Sequence, residues 1–341
     1  MRRLLAAAIL AMAARPLSAQ QIHWKNEFLF YLDNTEFFTP YRTGQTILGS
    51  WFKTCLELGL GDHTRIRAGV FGDHRSGDTK FLDPVKPILA FLWQRDRSQV
   101  VLGTLEPSDR HGYLEPLEAT TLEFTRPLEY GGQWVENQKR FHIDAYLNWQ
   151  HLNTDTSREI IDSGFVTWWN ATRMARLEGQ FHILHHGGQL HDIGPVTNNI
   201  VGGPGVRVED DLGALGKSSL SVFYLASRGP IDMNLGGSII NGNGVYVRAS
   251  VEPARLIEIA LIVWRGHNFI TQEGDHNYGS IGARNGFYRA SRSYEELAAI
   301  KRFKIAGTVD GDAEFRLNRI DGKIEYSYRL AVRAPFDLRL R

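Results

Sequence analysis

From Phe141 the chain sets Ile143, Ala145, Leu147 and Trp149 in alternation with His142, Asp144, Tyr146, Asn148 and Gln150. A helix would scatter both sets around its circumference, whereas a strand gives each set one face. The same period of two appears where Ile66, Ala68 and Val70 alternate with Arg65, Arg67 and Gly69. It returns near the end, with Ala313, Phe315 and Leu317 against Glu314, Arg316 and Asn318, then with Ile324, Tyr326, Tyr328, Leu330 and Val332 against Glu325, Ser327, Arg329, Ala331 and Arg333. Clusters of Gly, Asp, Asn and Pro divide the chain into about sixteen such segments, with fourteen the alternative count. One of them is expected over 120–136.

The connections alternate in kind. Residues 59–63, 95–97, 137–139, 213–217 and 253–254 are short links, while 75–84, 106–119, 188–203, 227–241 and 266–293 are longer. Short turns on one side and long loops on the other are what an outer-membrane barrel requires. The hairpin turning at Asp321 and Gly322 departs from this pattern by being short on the long-loop side.

After residue 19 there is no apolar run of the length a spanning helix needs, and the mean hydropathy is −0.28. A closed barrel of strands that are apolar on one side only is the membrane fold compatible with both facts. The predicted fold class is therefore an all-β antiparallel transmembrane barrel. Phe37, Phe38, Trp51, Trp93, Trp149, Trp168, Trp169 and Trp264 are expected at the membrane interfaces, where an aromatic ring with a polar tip is at home.

The start of the chain has a different character. Arg2 and Arg3 precede the apolar stretch 4–14, and Leu17, Ser18 and Ala19 follow it. This is the order of a cleaved secretory signal peptide, so 1–19 is read as a leader and 20–341 as one barrel domain. Losing Arg2, Arg3 and Arg15 with the leader turns the formal charge of +1 to about −2, which gives nucleic acid no reason to bind. Cys55 is the one cysteine, so no intramolecular disulfide is available to an exported chain.

Two stretches carry a resemblance. In 141–158 an alternating strand runs into Thr154, Asp155, Thr156 and Ser157 and ends at Arg158. In 264–297 Arg265-Gly266-His267 leads to Gly274-Asp275, then to Gly286-Phe287-Tyr288-Arg289-Ala290 and a Ser-Tyr-Glu strand start. With these the chain resembles the porin-sized outer-membrane barrels of Gram-negative bacteria, and within them an uncharacterised group of Bacteroidetes-type barrels. The resemblance implies outer-membrane lipid and the barrel-insertion machinery as partners, and lends no activity. Barrels of this class commonly finish on an aromatic residue; here Phe336 precedes a Leu338-Arg339-Leu340-Arg341 end.

If the apolar set meets lipid, the other set faces the lumen. The pore-lining candidates are Arg65, Arg67, His142, Asp144, Tyr146, Arg248, Glu314, Arg316, Arg329 and Arg333. A ring of arginines in a narrow channel would favour anions, and a paired Arg/Glu scaffold is the alternative reading. The long 266–293 connection is a candidate constriction, with His267, Asp275, His276, Arg284, Tyr288 and Arg289 offered to a polar ligand. His182, His185, His186 and His191 cluster at the end of one segment, but His185 falls on the opposite strand face from His182 and His186, so a metal site is not expected there. No serine and histidine stand at a spacing that suggests a lipid-facing hydrolytic pair. The function expected from the sequence is a passive or weakly selective channel for small polar, including anionic, solutes, without catalysis or cofactor. A polysaccharide export or binding barrel and an outer-membrane hydrolase are the alternatives.

Overall fold

The computed structural model describes residues 21–106, 108–191, 193–284 and 287–340; the expected signal peptide lies outside them. Sixteen strands pair antiparallel with their sequence neighbours, and the first pairs with the last, closing the barrel. The first eight are β1 (Ile22–Glu36), β2 (Gln45–Gly59), β3 (Thr64–Arg75), β4 (Val85–Arg95), β5 (Ser98–Leu105), β6 (Glu129–Asn137), β7 (Phe141–His151) and β8 (Glu159–Asn170). The rest are β9 (Ala175–Gly187), β10 (Thr197–Asp211), β11 (Lys217–Gly229), β12 (Ile240–Glu252), β13 (Glu258–His267), β14 (Ser291–Ala306), β15 (Val309–Ile320) and β16 (Lys323–Arg339). Closure leaves no sheet edge with unpaired N–H and C=O groups, which a hydrocarbon environment would penalise by several kcal/mol per group.

Alternation decides which side chains meet lipid. On β13, Ile259 and Leu261 are exposed outward while Ala260, Ile262 and Trp264 are buried inward. On β15, Phe315 and Leu317 point out and Asn318 and Ile320 point in. The aromatic positions divide in the same way. Trp149 and Trp169 stand on the outer face as expected, but Trp51, Trp264 and Phe37 are buried inside the barrel, and Trp168 turns inward to stack on His142. Those four are not interface anchors, because the lumen has a hydrophobic core of its own.

That core explains the one misread segment. Residues 120–128 are not strand: Leu122–Thr125 forms a single helical turn, and β6 begins only at Glu129. Their apolar residues fill the lumen, with Phe124 stacked on Tyr31 at 4.9 Å. A second cluster gathers Leu117, Phe223, Trp264, Phe269, Tyr278 and Tyr294 from three strands and two loops. Burying side chains such as Leu117 and Phe269 completely contributes about 2 kcal/mol each. Gly244 makes room for the largest of them: a Cβ there would lie 2.2 Å from the Trp264 ring.

Candidate functional site

Two loops turn into the barrel and tie its opposite walls together. The 106–128 loop reaches β15 and β16. Glu115 accepts from Arg316 at 2.6 Å and from the Tyr278 hydroxyl at 2.8 Å, Arg329 donates to Thr120 at 3.2 Å, and Glu123 pairs with Arg333. The 268–290 loop meets it from the other side, Glu273 pairing with Arg126 while Asp275 accepts from Arg42 at 2.6 Å.

His111, on the 106–128 loop, has Asp144 3.0 Å from Nδ1 and Glu129 3.1 Å from Nε2, with Tyr146 stacked on its face at 3.8 Å. Burial alone would lower its pKa, but the hydrogen bonds to Asp144 and Glu129 reverse this and raise it to about 9. With a carboxylate at each nitrogen both must donate, so the ring is an imidazolium without a lone pair. It is a structural cation and cannot act as a base.

All ten pore-lining candidates do face inward, but the arginines among them do not form an unpaired ring. Arg67 donates to Glu57 at 2.7 Å and to Glu106 at 2.6 Å, and Arg65 lies 3.6 Å from Glu57. Arg248 pairs with Glu258, Arg316 with Glu115, Glu296 and Glu314, Arg329 with Asp33 at 3.1 Å, and Arg333 with Glu27 and Glu123. Each guanidinium is matched by carboxylate, which removes the electrostatic premise for anion preference. His142 bonds Asn137 rather than Asp144. Below the loops, on the short-turn side, a cavity of about 730 Å³ opens among His23, Lys25, Glu57, Asp62, Arg65 and Asp337.

The expected constriction residues scatter. Asp275 is buried in the lumen and His276 half-buried beside it, and the Tyr288 hydroxyl donates to Asn268 at 2.7 Å. Arg284 is exposed, Arg289 reaches Tyr41 and Asp321 at the rim, and His267 ends β13 on the outer face against Ser291.

The histidine cluster also separates. His182 and His186 lie on the inward face of β9, His191 is in the following loop, and His185 points outward. Among the described residues no group of three or more His, Cys, Asp or Glu is placed to hold a metal.

His185 has company that its sequence neighbours do not reveal. Its Nδ1 is 2.8 Å from the Asn198 Oδ1 on β10, and its Nε2 is 3.7 Å from the Glu159 Oε1 on β8. An amide oxygen can only accept, so Nδ1 donates to Asn198, and Nε2 is the nitrogen turned toward the carboxylate. A gap of 3.7 Å is beyond a direct hydrogen bond. Directly below on the same face lie Phe181 and Ile183 of β9 and Ile161 and Phe165 of β8, facing lipid. The imidazole and its acid thus sit where the apolar band ends. Ser163 shares this face, opposite Ile183 and therefore diagonal to His185.

The comparisons bear on both fold and chemistry. The structure is similar to OprD of Pseudomonas aeruginosa, with a TM-score of 0.53, 12% identity and coverage of 94% of this chain and 96% of that one. It is also similar to OccAB1 of Acinetobacter baumannii (TM-score 0.57, 9% identity, 94% and 97% covered) and to an anion-selective porin of Comamonas acidovorans (TM-score 0.54, 10% identity, 93% and 99% covered). At such identities the likeness establishes the outer-membrane barrel fold. No curated protein is similar to the chain in sequence. The sequence model described as lipid A 3'-O-deacylase-type matches residues 14–341. The expectation of a barrel without catalysis is overturned by this match, since a deacylase is a hydrolase. Spanning nearly the whole chain, the match shows that the protein belongs to the lipid A 3'-O-deacylase-type family.

Proposed function

We propose that this barrel hydrolyses an acyl ester of a glycolipid in the outer leaflet, with His185 as general base and Glu159 as its acidic partner. The observation that carries the reading is the family match over residues 14–341. The rim pair supplies a place for the chemistry. The esters of a membrane lipid lie where acyl chains give way to headgroup, and His185 stands at that level of the wall. A water donating one hydrogen to Nε2, with the Glu159 carboxylate beside the pair, keeps an oxygen lone pair to attack the ester carbonyl. As the C–O bond forms, Nε2 takes the proton, and it returns the proton to the leaving alkoxide when the acyl–oxygen bond breaks. Nδ1 is held by Asn198 and Nε2 faces Glu159 rather than Ser163, so water is the nucleophile in this reading.

The test is fatty-acid release from lipid A by the purified barrel in mixed micelles, followed by mass spectrometry. His185→Asn is expected to lower the rate by roughly 10²- to 10⁴-fold, the usual contribution of a positioned base, while Ser163→Ala leaves it unchanged. Absence of fatty-acid release from the wild-type protein, or full activity in H185N, would overturn the proposal.

A further inference from the structure

The polar level that holds His185 continues around the wall. On β11 the outward series Leu220, Val222, Tyr224 and Ala226 ends at Arg228. On β13 the series Ile259, Leu261 and Val263 ends at Arg265 and His267, and on β15 Ala313, Phe315 and Leu317 end at Arg319. Between the last two, Glu295 of β14 pairs with Arg265 and accepts from Arg319 at 3.0 Å. The Arg265 and Arg319 side chains are 55% and 60% exposed although each is paired with that glutamate, so their remaining N–H groups face outward.

Arg265 and Arg319 share one carboxylate here, and Arg228 donates to the Asn241 amide oxygen at 3.2 Å, unlike the carboxylate-matched luminal arginines. With strands about 4.8 Å apart, the belt from β11 to β15 is about 19 Å wide. A guanidinium binds phosphate with two parallel N–H···O bonds, and Glu295 holds Arg265 and Arg319 at fixed positions before any ligand arrives. The apolar rows beneath receive acyl chains, and the arginines above stand where phosphates emerge from the hydrocarbon. We infer that Arg228, Arg265 and Arg319 form a docking belt for the phosphate groups of an anionic outer-leaflet lipid, whose acyl chains lie along β11 to β15. This inference rests on the orientation of the wall in the membrane and stands apart from the hydrolytic reading.

The experiment measures retention of lipid A by the purified full chain in neutral detergent, using native mass spectrometry, with dephosphorylated lipid A and inorganic phosphate as parallel probes. The wild-type barrel is expected to retain the phosphorylated lipid in preference to the dephosphorylated one and to ignore inorganic phosphate. Arg265→Gln with Arg319→Gln is expected to reduce that retention roughly 30-fold, at about fivefold per cation, and to leave the dephosphorylated lipid unaffected. Arg255→Gln, at a turn on the opposite end of the barrel, serves as the control variant and is expected to retain lipid like the wild type. Equal retention of the two lipids by the wild-type protein, or an unchanged preference in the double variant, would overturn the inference. Neither result depends on whether the lipid is hydrolysed, and loss of turnover in H185N with retention intact separates the two claims.

Discussion

Arg316→Met is expected to destabilise the barrel by about 3 kcal/mol or more, read as a lower urea midpoint in detergent micelles. The size of the effect comes from what remains behind. Glu115, Glu296 and Glu314 all converge on this guanidinium, whose side chain is 17% exposed. Removing Arg316 leaves three carboxylates close together in the lumen without the cation that bonds all of them, and breaking a buried ion pair from one side typically costs 3–5 kcal/mol. Arg255→Met supplies the contrast. Its side chain is 72% exposed and 3.4 Å from Asp211 at a turn, so the midpoint should not move measurably. An R316M midpoint equal to the wild-type one would mean that the loops are not held by this network.

The second large effect is on pH dependence. His111 has a pKa of about 9 in the folded barrel, against about 6.5 in an unfolded chain. A pKa raised by folding contributes stability that is complete below the unfolded value and is lost as pH climbs through the folded one. The stabilisation is therefore full near pH 6 and fades between pH 7 and 9.5, by an amount on the order of 3 kcal/mol. The wild-type urea midpoint is expected to fall across that window. His111→Gln is expected to start lower at pH 6, because Glu129 and Asp144 lose the cation between them, and to decline less on the way to pH 9.5. Parallel curves for the two proteins would remove His111 as the titrating group.

The wall was legible because its rule is local. The alternation of Ile66, Ala68 and Val70 with Arg65 and Arg67 can be read in six residues, and it assigned lipid and lumen faces without knowledge of any partner strand. The inward loops obey no such rule. Glu115 meets Arg316 across 201 positions of chain, and Leu122 and Phe124 resemble a strand's apolar content until the lumen is known to have a core. Trp51 and Trp264 were misplaced for that reason, since a large aromatic on a barrel strand suits an interior core as well as a membrane interface. Glu159, His185 and Asn198 belong to three different strands, so their meeting is set by register and cannot be seen in a spacing. One signal was present: His185 is the polar end of an outward apolar row, and a titratable side chain at that level of a lipid-facing wall invites a search of the adjacent strands.

The interior tethers bear on how the cylinder can be assembled. Arg329 and Arg333 belong to β16, the last strand made, and each grips both the first strand and the 106–128 loop: Asp33 with Thr120, and Glu27 with Glu123. Zipping the seam and seating the internal loop therefore use the same two side chains. A chain whose loop is still outside reaches the final pairing step with both arginines holding only their first-strand partners, Asp33 and Glu27, so the seam gains its full set of contacts only once the inside is in order.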